Sequence, residues 1–114
     1  MTADTETVAF RMTLHPGQAA EYKRRHDEIW PELSEALLDA GVLDYRIFLD
    51  PETNHLFAVM TRRREHGLAA LPGTEVMQRW WAMMADIMEA RPDNVPVQLD
   101  LQPVFHLKAP APQA

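Results

Sequence analysis

The strongest constraint on this chain's fold is the order in which two hydrophobic periods succeed one another. Val8, Phe10, Met12 and Leu14 alternate with Thr7, Ala9, Arg11 and Thr13, the period of a strand with one buried face. That strand ends at His15-Pro16. From Pro16, a favourable first helical residue, the apolar positions shift to Ala19, Tyr22, His26, Ile29, Leu33, Leu37 and Ala40, which is helical spacing with charged residues opposite. Gly41 closes this helix, and Pro31 inside it predicts a kink or a restart, because proline lacks the N–H and clashes with the preceding turn. Leu43 to Asp50 reads as a second strand, Pro51 to Asn54 as a turn, and His55 to Arg63 as a third strand paired with the second. After Pro72-Gly73, Thr74 is placed to cap a helix running to about Ala90. Its apolar residues Val76, Met77, Trp80, Trp81, Met83, Met84, Ile87 and Met88 cover more than one stripe. A last strand is predicted from Val97 to Leu107, with Pro103 marking an edge or a bulge.

The resulting order, βαββαβ, is the ferredoxin-like split βαβ arrangement of the α+β class. Both helices then cover one face of a four-stranded antiparallel sheet, and the other face needs cover. The second strand carries Leu43, Tyr45, Ile47 and Leu49 on one side and Phe48 on the other. Large side chains on both faces predict a homodimer, sheet against sheet. A chain of 114 residues, 46% hydrophobic, suffices for one core. Residues 1–6 are polar and 109–114 rich in Pro and Ala, so both are read as flexible ends flanking a single domain at 7–108.

With a formal net charge of -6, the chain has no surplus of cations to neutralise phosphates, which argues against nucleic acid as a partner. The triplets Lys23-Arg24-Arg25 and Arg62-Arg63-Arg64 have acidic neighbours and read as solvated faces. Cysteine is absent, which removes thiolate chemistry and suits a reducing compartment. No stretch approaches a membrane span and no signal peptide opens the chain, so a cytoplasmic protein is expected. The histidines at 15, 26, 55, 66 and 106 lack HExxH spacing, no Gly-rich loop follows a strand, and GxSxG is missing. Neither metal nor cofactor is expected.

Several residues remain that can do chemistry. His26 lies four residues after Tyr22, so the two side chains are neighbours on an inward stripe. They are either a hydrogen-bonded core pair or a general acid/base beside a phenol, and histidine is the side chain that gives and takes protons near neutrality. Trp80 and Trp81, about 100° apart on a helix, either fill a wide apolar face or offer a platform to a pyranose ring. Tyr45 is a cross-strand packing residue or a phenol at the sheet end. The RPDNVP segment with Asp93-Asn94 is a turn, or a loop that touches hydroxyls. Met60, Met77, Met83, Met84 and Met88 read as core filler.

Taken together, EYKRRHDEIWPEL at 21–33, DYRIFLD at 44–50, MQRWWAMMADIM at 77–88 and RPDNVP at 91–96 closely resemble the L-rhamnose mutarotase family, in order, over about residues 8–107. The resemblance implies a dimeric α+β barrel and exchange of α and β anomers of a deoxyhexose by ring opening and closure, without a cofactor. It also implies His26 as proton donor to the ring oxygen, with Tyr22, Tyr45, Trp80 and Trp81 binding sugar. The chain departs from the family pattern at Asp27-Glu28 and at Phe105-His106-Leu107. L-Rhamnose is the substrate the resemblance implies, with L-fucose a sugar of the same class. Two other readings stay open on the residues alone: a cofactor-free monooxygenase of the same fold, and a sensing or assembly module in which these aromatics merely pack.

Overall fold

A computed structural model describes residues 4–110. The elements are β1 (Thr5–Thr13), α1 (Ala19–Asp27), α2 (Pro31–Asp39), β2 (Val42–Asp50), β3 (His55–Arg63), a 3-10 turn (Leu68–Gly73), α3 (Glu75–Met84) and β4 (Leu99–Leu101). The sheet is antiparallel in the order β2-β3-β1-β4. With α1 and α2 counted as one split helix, this is the predicted βαββαβ arrangement. The alternation in β1 and β3 puts Met12, Leu56, Ala58 and Met60 on the side that meets Leu33, Trp80, Met84 and Ile87, and all eight are buried.

The long first helix is two helices, and the chemistry of proline says why. The residue before a proline is pushed out of the helical region. Trp30 accordingly has φ -63° and ψ 132°, and Pro31 restarts the chain as the first residue of α2. Pro16 does not begin a helix: Gly17 has φ +80°, a left-handed turn that only lets the helix start at Ala19. At the other end Gly41 has φ +115°, and a Cβ there would sit 3.1 Å from the His66 Cβ. Only glycine fits that junction between α2 and β2.

Other boundaries also move. β1 begins at Thr5, so Thr5 and Glu6 belong to the sheet, opposite Arg63 and Arg62, and not to a flexible end. Of the ends read as flexible, residues 1–3 and 111–114 lie outside the described residues. The register of β2 against β3 shifts between Val42 and Asp44, a bulge that accompanies a buried Val42 and a Leu43 that is 47% exposed. Instead of running to Ala90, α3 stops at Met84, because the chain beyond it is captured by the end of β1. Glu89 N–H donates to the Thr13 carbonyl and His15 N–H to the Ile87 carbonyl. The last strand is three residues, 99–101, not eleven; Pro96 and Pro103 flank it without an N–H for the ladder. Thr74 does cap α3, its hydroxyl accepting from the Met77 N–H.

Candidate functional site

Between the helices and the sheet opens a groove of about 2320 Å³ whose walls include Tyr22, His26, Tyr45, Trp80 and Trp81. The five residues singled out by sequence therefore line one cavity, although they come from α1, β2 and α3. Tyr22 is buried, and its ring lies 4.3 Å from the His26 imidazole at 31°. The Trp80 ring meets His26 edge-on at 5.3 Å and 88°. Tyr45 packs from the sheet side, 6.3 Å from Phe10.

His26 is held by one directed bond, Nδ1 to the Tyr22 carbonyl at 3.0 Å. A carbonyl can only accept, so Nδ1 carries the hydrogen and, in the neutral ring, Nε2 keeps its lone pair. Burial pushes the His26 pKa below that of an ordinary histidine; the bond to the carbonyl and the nearby Asp27 oppose that shift without cancelling it. The resting imidazole is therefore neutral near pH 7, with Nε2 as its acceptor. Both tyrosines move the other way. Burial, with a smaller contribution from Tyr45, raises the Tyr22 phenol, and burial pushes Tyr45 up to about 12 although 37% of that residue is exposed. Both phenols stay protonated and are hydrogen-bond donors throughout the neutral range.

The two tryptophans diverge, as their helical spacing requires. Trp80 is buried and reaches inward, where Trp30 meets it edge-on at 5.2 Å. Trp81 is half-buried and lines both the groove and a second, shallower depression of about 620 Å³ formed with Arg91, Asp93 and Asn94. Asp93 is occupied in its own turn, accepting from Arg91 at 2.6 Å and from the Val95 N–H at 3.2 Å, while Asn94 has φ 71°. Neither Asp93 nor Asn94 faces the groove, whereas His106 is at its rim. Sequence reasoning missed Trp30 as part of the aromatic cluster. Its signal was the Trp-Pro pair: the proline that breaks the helix also turns Trp30 back toward Trp80, with Arg79 over its outer face at 5.5 Å.

Fold and site together define a class: a small ferredoxin-like α+β protein with a neutral histidine and two protonated phenols in an aromatic groove, equipped to move protons on a small polar ligand. Comparison with known proteins narrows this. Residues 7–107 match the family described as L-rhamnose mutarotase, and the chain belongs to that family. It is 62% identical over 104 residues to the L-rhamnose mutarotase of Agrobacterium fabrum, covering 91% of this chain and 97% of that one. The crystal structure of an L-rhamnose mutarotase from Formosa agariphila superposes with a TM-score of 0.82 at 47% identity, covering 90% of this chain and 99% of the other. A putative antibiotic biosynthesis monooxygenase from Nitrosomonas europaea is similar at a TM-score of 0.58 and 11% identity, over 92% of this chain and 95% of that one. That last likeness is one of fold alone.

Proposed function

We propose that the protein is an isomerase that interconverts the α and β anomers of L-rhamnose, with His26 as the group that carries the proton. The observation that carries this reading is the His26 Nδ1 bond to the Tyr22 carbonyl, which leaves Nε2 as an acceptor inside an aromatic groove. Nε2 takes the proton from the C1 hydroxyl; the C1–O5 bond breaks as the C1 carbonyl forms, and the imidazolium returns the same proton to O5. The aldehyde rotates about C1–C2 and the reverse sequence closes the ring on its other face. Protons balance within the sugar and one side chain. His26 still protonates the ring oxygen, as the family resemblance implies, but burial makes a resting imidazolium unfavourable, so the acid is generated by the preceding base step.

The Tyr22 and Tyr45 phenols donate hydrogen bonds to sugar oxygens, and Trp80 and Trp81 receive the C–H face and the C6 methyl. Anomeric exchange of L-rhamnose, followed by NMR saturation transfer across a panel including L-fucose, tests the reading. Exchange accelerated for L-rhamnose beyond the other sugars is the expected result, and no acceleration for any sugar would overturn it.

The working unit is a homodimer. On the sheet face away from the helices Phe48 is 55% and Leu99 52% exposed, and beyond β4 Val104, Phe105 and Leu107 are 92%, 82% and 81% exposed. So much apolar surface, on a sheet face and an adjoining arm, is what a second copy would cover. Sedimentation of the wild type as a dimer, with Phe48→Glu shifting it toward monomer, is the expected outcome; a wild-type monomer at micromolar concentration would refute it. No helix among the described residues is long and apolar enough to cross a membrane. Together with a cysteine-free sequence, this supports action in the cytoplasm.

A further inference from the structure

Helix α1 carries both Tyr22 and His26, yet little apolar surface holds it down. Among its nine residues only Tyr22 is buried. The helix is also cut off from its neighbours, by the left-handed Gly17 on one side and the break at Glu28 to Trp30 on the other. One polar side chain fastens it. In the triplet Lys23-Arg24-Arg25, the Lys23 and Arg24 side chains are 77% and 56% exposed, whereas that of Arg25 is 14% exposed. Arg25 Nε donates to Glu21 at 2.7 Å, and Nη1 donates to the Met83 carbonyl at 2.8 Å and to Asp86 at 2.9 Å. Nη2 reaches the second Asp86 oxygen at 3.4 Å.

Met83 lies in the last turn of α3, where carbonyls have no partner within the helix and where a cation is favoured by the helix dipole. The same helix carries Trp80 one turn earlier, against the His26 ring. Arg25 thus ties the turn that precedes His26 to the helix that forms the opposite wall.

We propose that Arg25 is a positioning residue for the reaction: by clamping α1 to the C-terminal end of α3 it fixes where the His26 imidazole sits relative to Trp80 and the bound sugar. This rests on the reading of His26 given above. A misplacement of about 1 Å at a reacting group costs up to roughly a hundredfold in rate. A guanidinium fork makes these bonds in fixed relative directions, which a lysine ammonium does not reproduce. The Asp86 arm is solvent-exposed, its side chain 66% accessible, and contributes little by itself.

The test compares Arg25→Ala, Arg25→Lys, Asp86→Asn and His26→Ala in L-rhamnose anomer exchange. Arg25→Ala is expected to lose about tenfold to a hundredfold in kcat with KM within about threefold, since Tyr45, Trp80 and Trp81 lie off α1 and keep their sugar contacts while the imidazole loses its aim. Added guanidinium ion at millimolar concentration restores part of that rate in Arg25→Ala and none in His26→Ala. Asp86→Asn stays within about twofold of wild type. The Nδ1–H tautomer is fixed within α1 and stays as it is; what moves is the contact across the groove, so NOEs between the His26 ring and the Trp80 indole are strong in the wild type and weaken in Arg25→Ala. Where Arg25→Ala does not fold, Arg25→Lys carries the same comparison. Unchanged kcat with unchanged His26–Trp80 NOEs in the folded variant overturns the positioning role. If His26→Ala itself exchanges anomers at the wild-type rate, the failure belongs to the proposed function and not to Arg25.

Discussion

His26→Ala is expected to slow catalysed anomer exchange of L-rhamnose by roughly 10²–10⁴-fold, the usual contribution of a positioned acid/base group. The replacement leaves the fold nearly intact, because the imidazole is only half-buried and its one directed bond goes to a backbone carbonyl of its own helix. Circular dichroism and thermal unfolding should therefore change little while the rate collapses. His26→Gln is the sharper control: it restores a donor to the Tyr22 carbonyl and fills the space, yet cannot carry a proton between C1–OH and O5. Equal activity in His26→Gln and the wild type would remove His26 from the mechanism. The pH profile supplies an independent check. Burial lowers the His26 pKa, so the neutral, proton-accepting form persists to a more acidic pH than an ordinary histidine would allow. The acid limb of the rate profile should therefore fall below pH 6.5 and disappear in both variants. Stability follows the same sign. Unfolded His26 takes up a proton near 6.5 and folded His26 does not, so the unfolded state binds more protons and stability falls as pH drops through that window toward the folded pKa.

How far such conclusions could be read from sequence depended on whether the governing interaction was local. The period-2 alternation from Val8 to Leu14 and the His55–Arg63 strand were legible because each strand has one buried face, and a one-residue slip would expose Leu56 or Met60. Pro31 announced its own break. What was not legible was set by partners distant in sequence. The end of α3 at Met84 is decided by the free backbone groups of Thr13 and His15, which draw residues 87–89 out of the helix although Ile87 and Met88 keep helical spacing. The bulge at Val42 to Asp44, with Val42 buried and Leu43 exposed, arises from pairing with β3, which alternation within β2 cannot foresee.

The candidate site divides in the same way. Tyr22 and His26 are one helical turn apart, so their adjacency could be read directly, whereas bringing Tyr45 and Trp80 to the same groove needed the whole sheet and its helices. Arg25 was hidden because a basic triplet with acidic neighbours looks uniformly solvated; only the approach of α3 separates it from Lys23 and Arg24. Resemblance to a family supplied what packing arguments could not, the expectation that these aromatics bind a sugar.

Trp80→Ala should produce the largest loss of stability of any single change at the site, and it should take substrate binding with it. The residue is 6% exposed and packs into the cluster of Leu33, Leu56, Ala58 and Met84. Truncating a buried tryptophan leaves a cavity and costs about 3–5 kcal/mol. Against a total of about 5–15 kcal/mol for a typical domain, that lowers Tm by more than roughly 10 °C for a chain of this size. Calorimetry at matched protomer concentration measures it. The same truncation removes the edge that His26 and Trp30 both rest against, so the folded fraction should bind L-rhamnose weakly. Trp80→Phe separates the two effects. A smaller ring keeps an apolar filling and most of the stability, but shortens the wall and loses the indole N–H, so KM rises while Tm falls by only a few degrees. Trp81→Ala gives the contrast, since Trp81 is half-buried at the junction of the groove and the outer depression. Its loss should weaken sugar binding at a far smaller cost in stability. Should Trp81→Ala destabilise the protein as much as Trp80→Ala, the division between an indole that serves both core and ligand and one that serves mainly the ligand would be wrong.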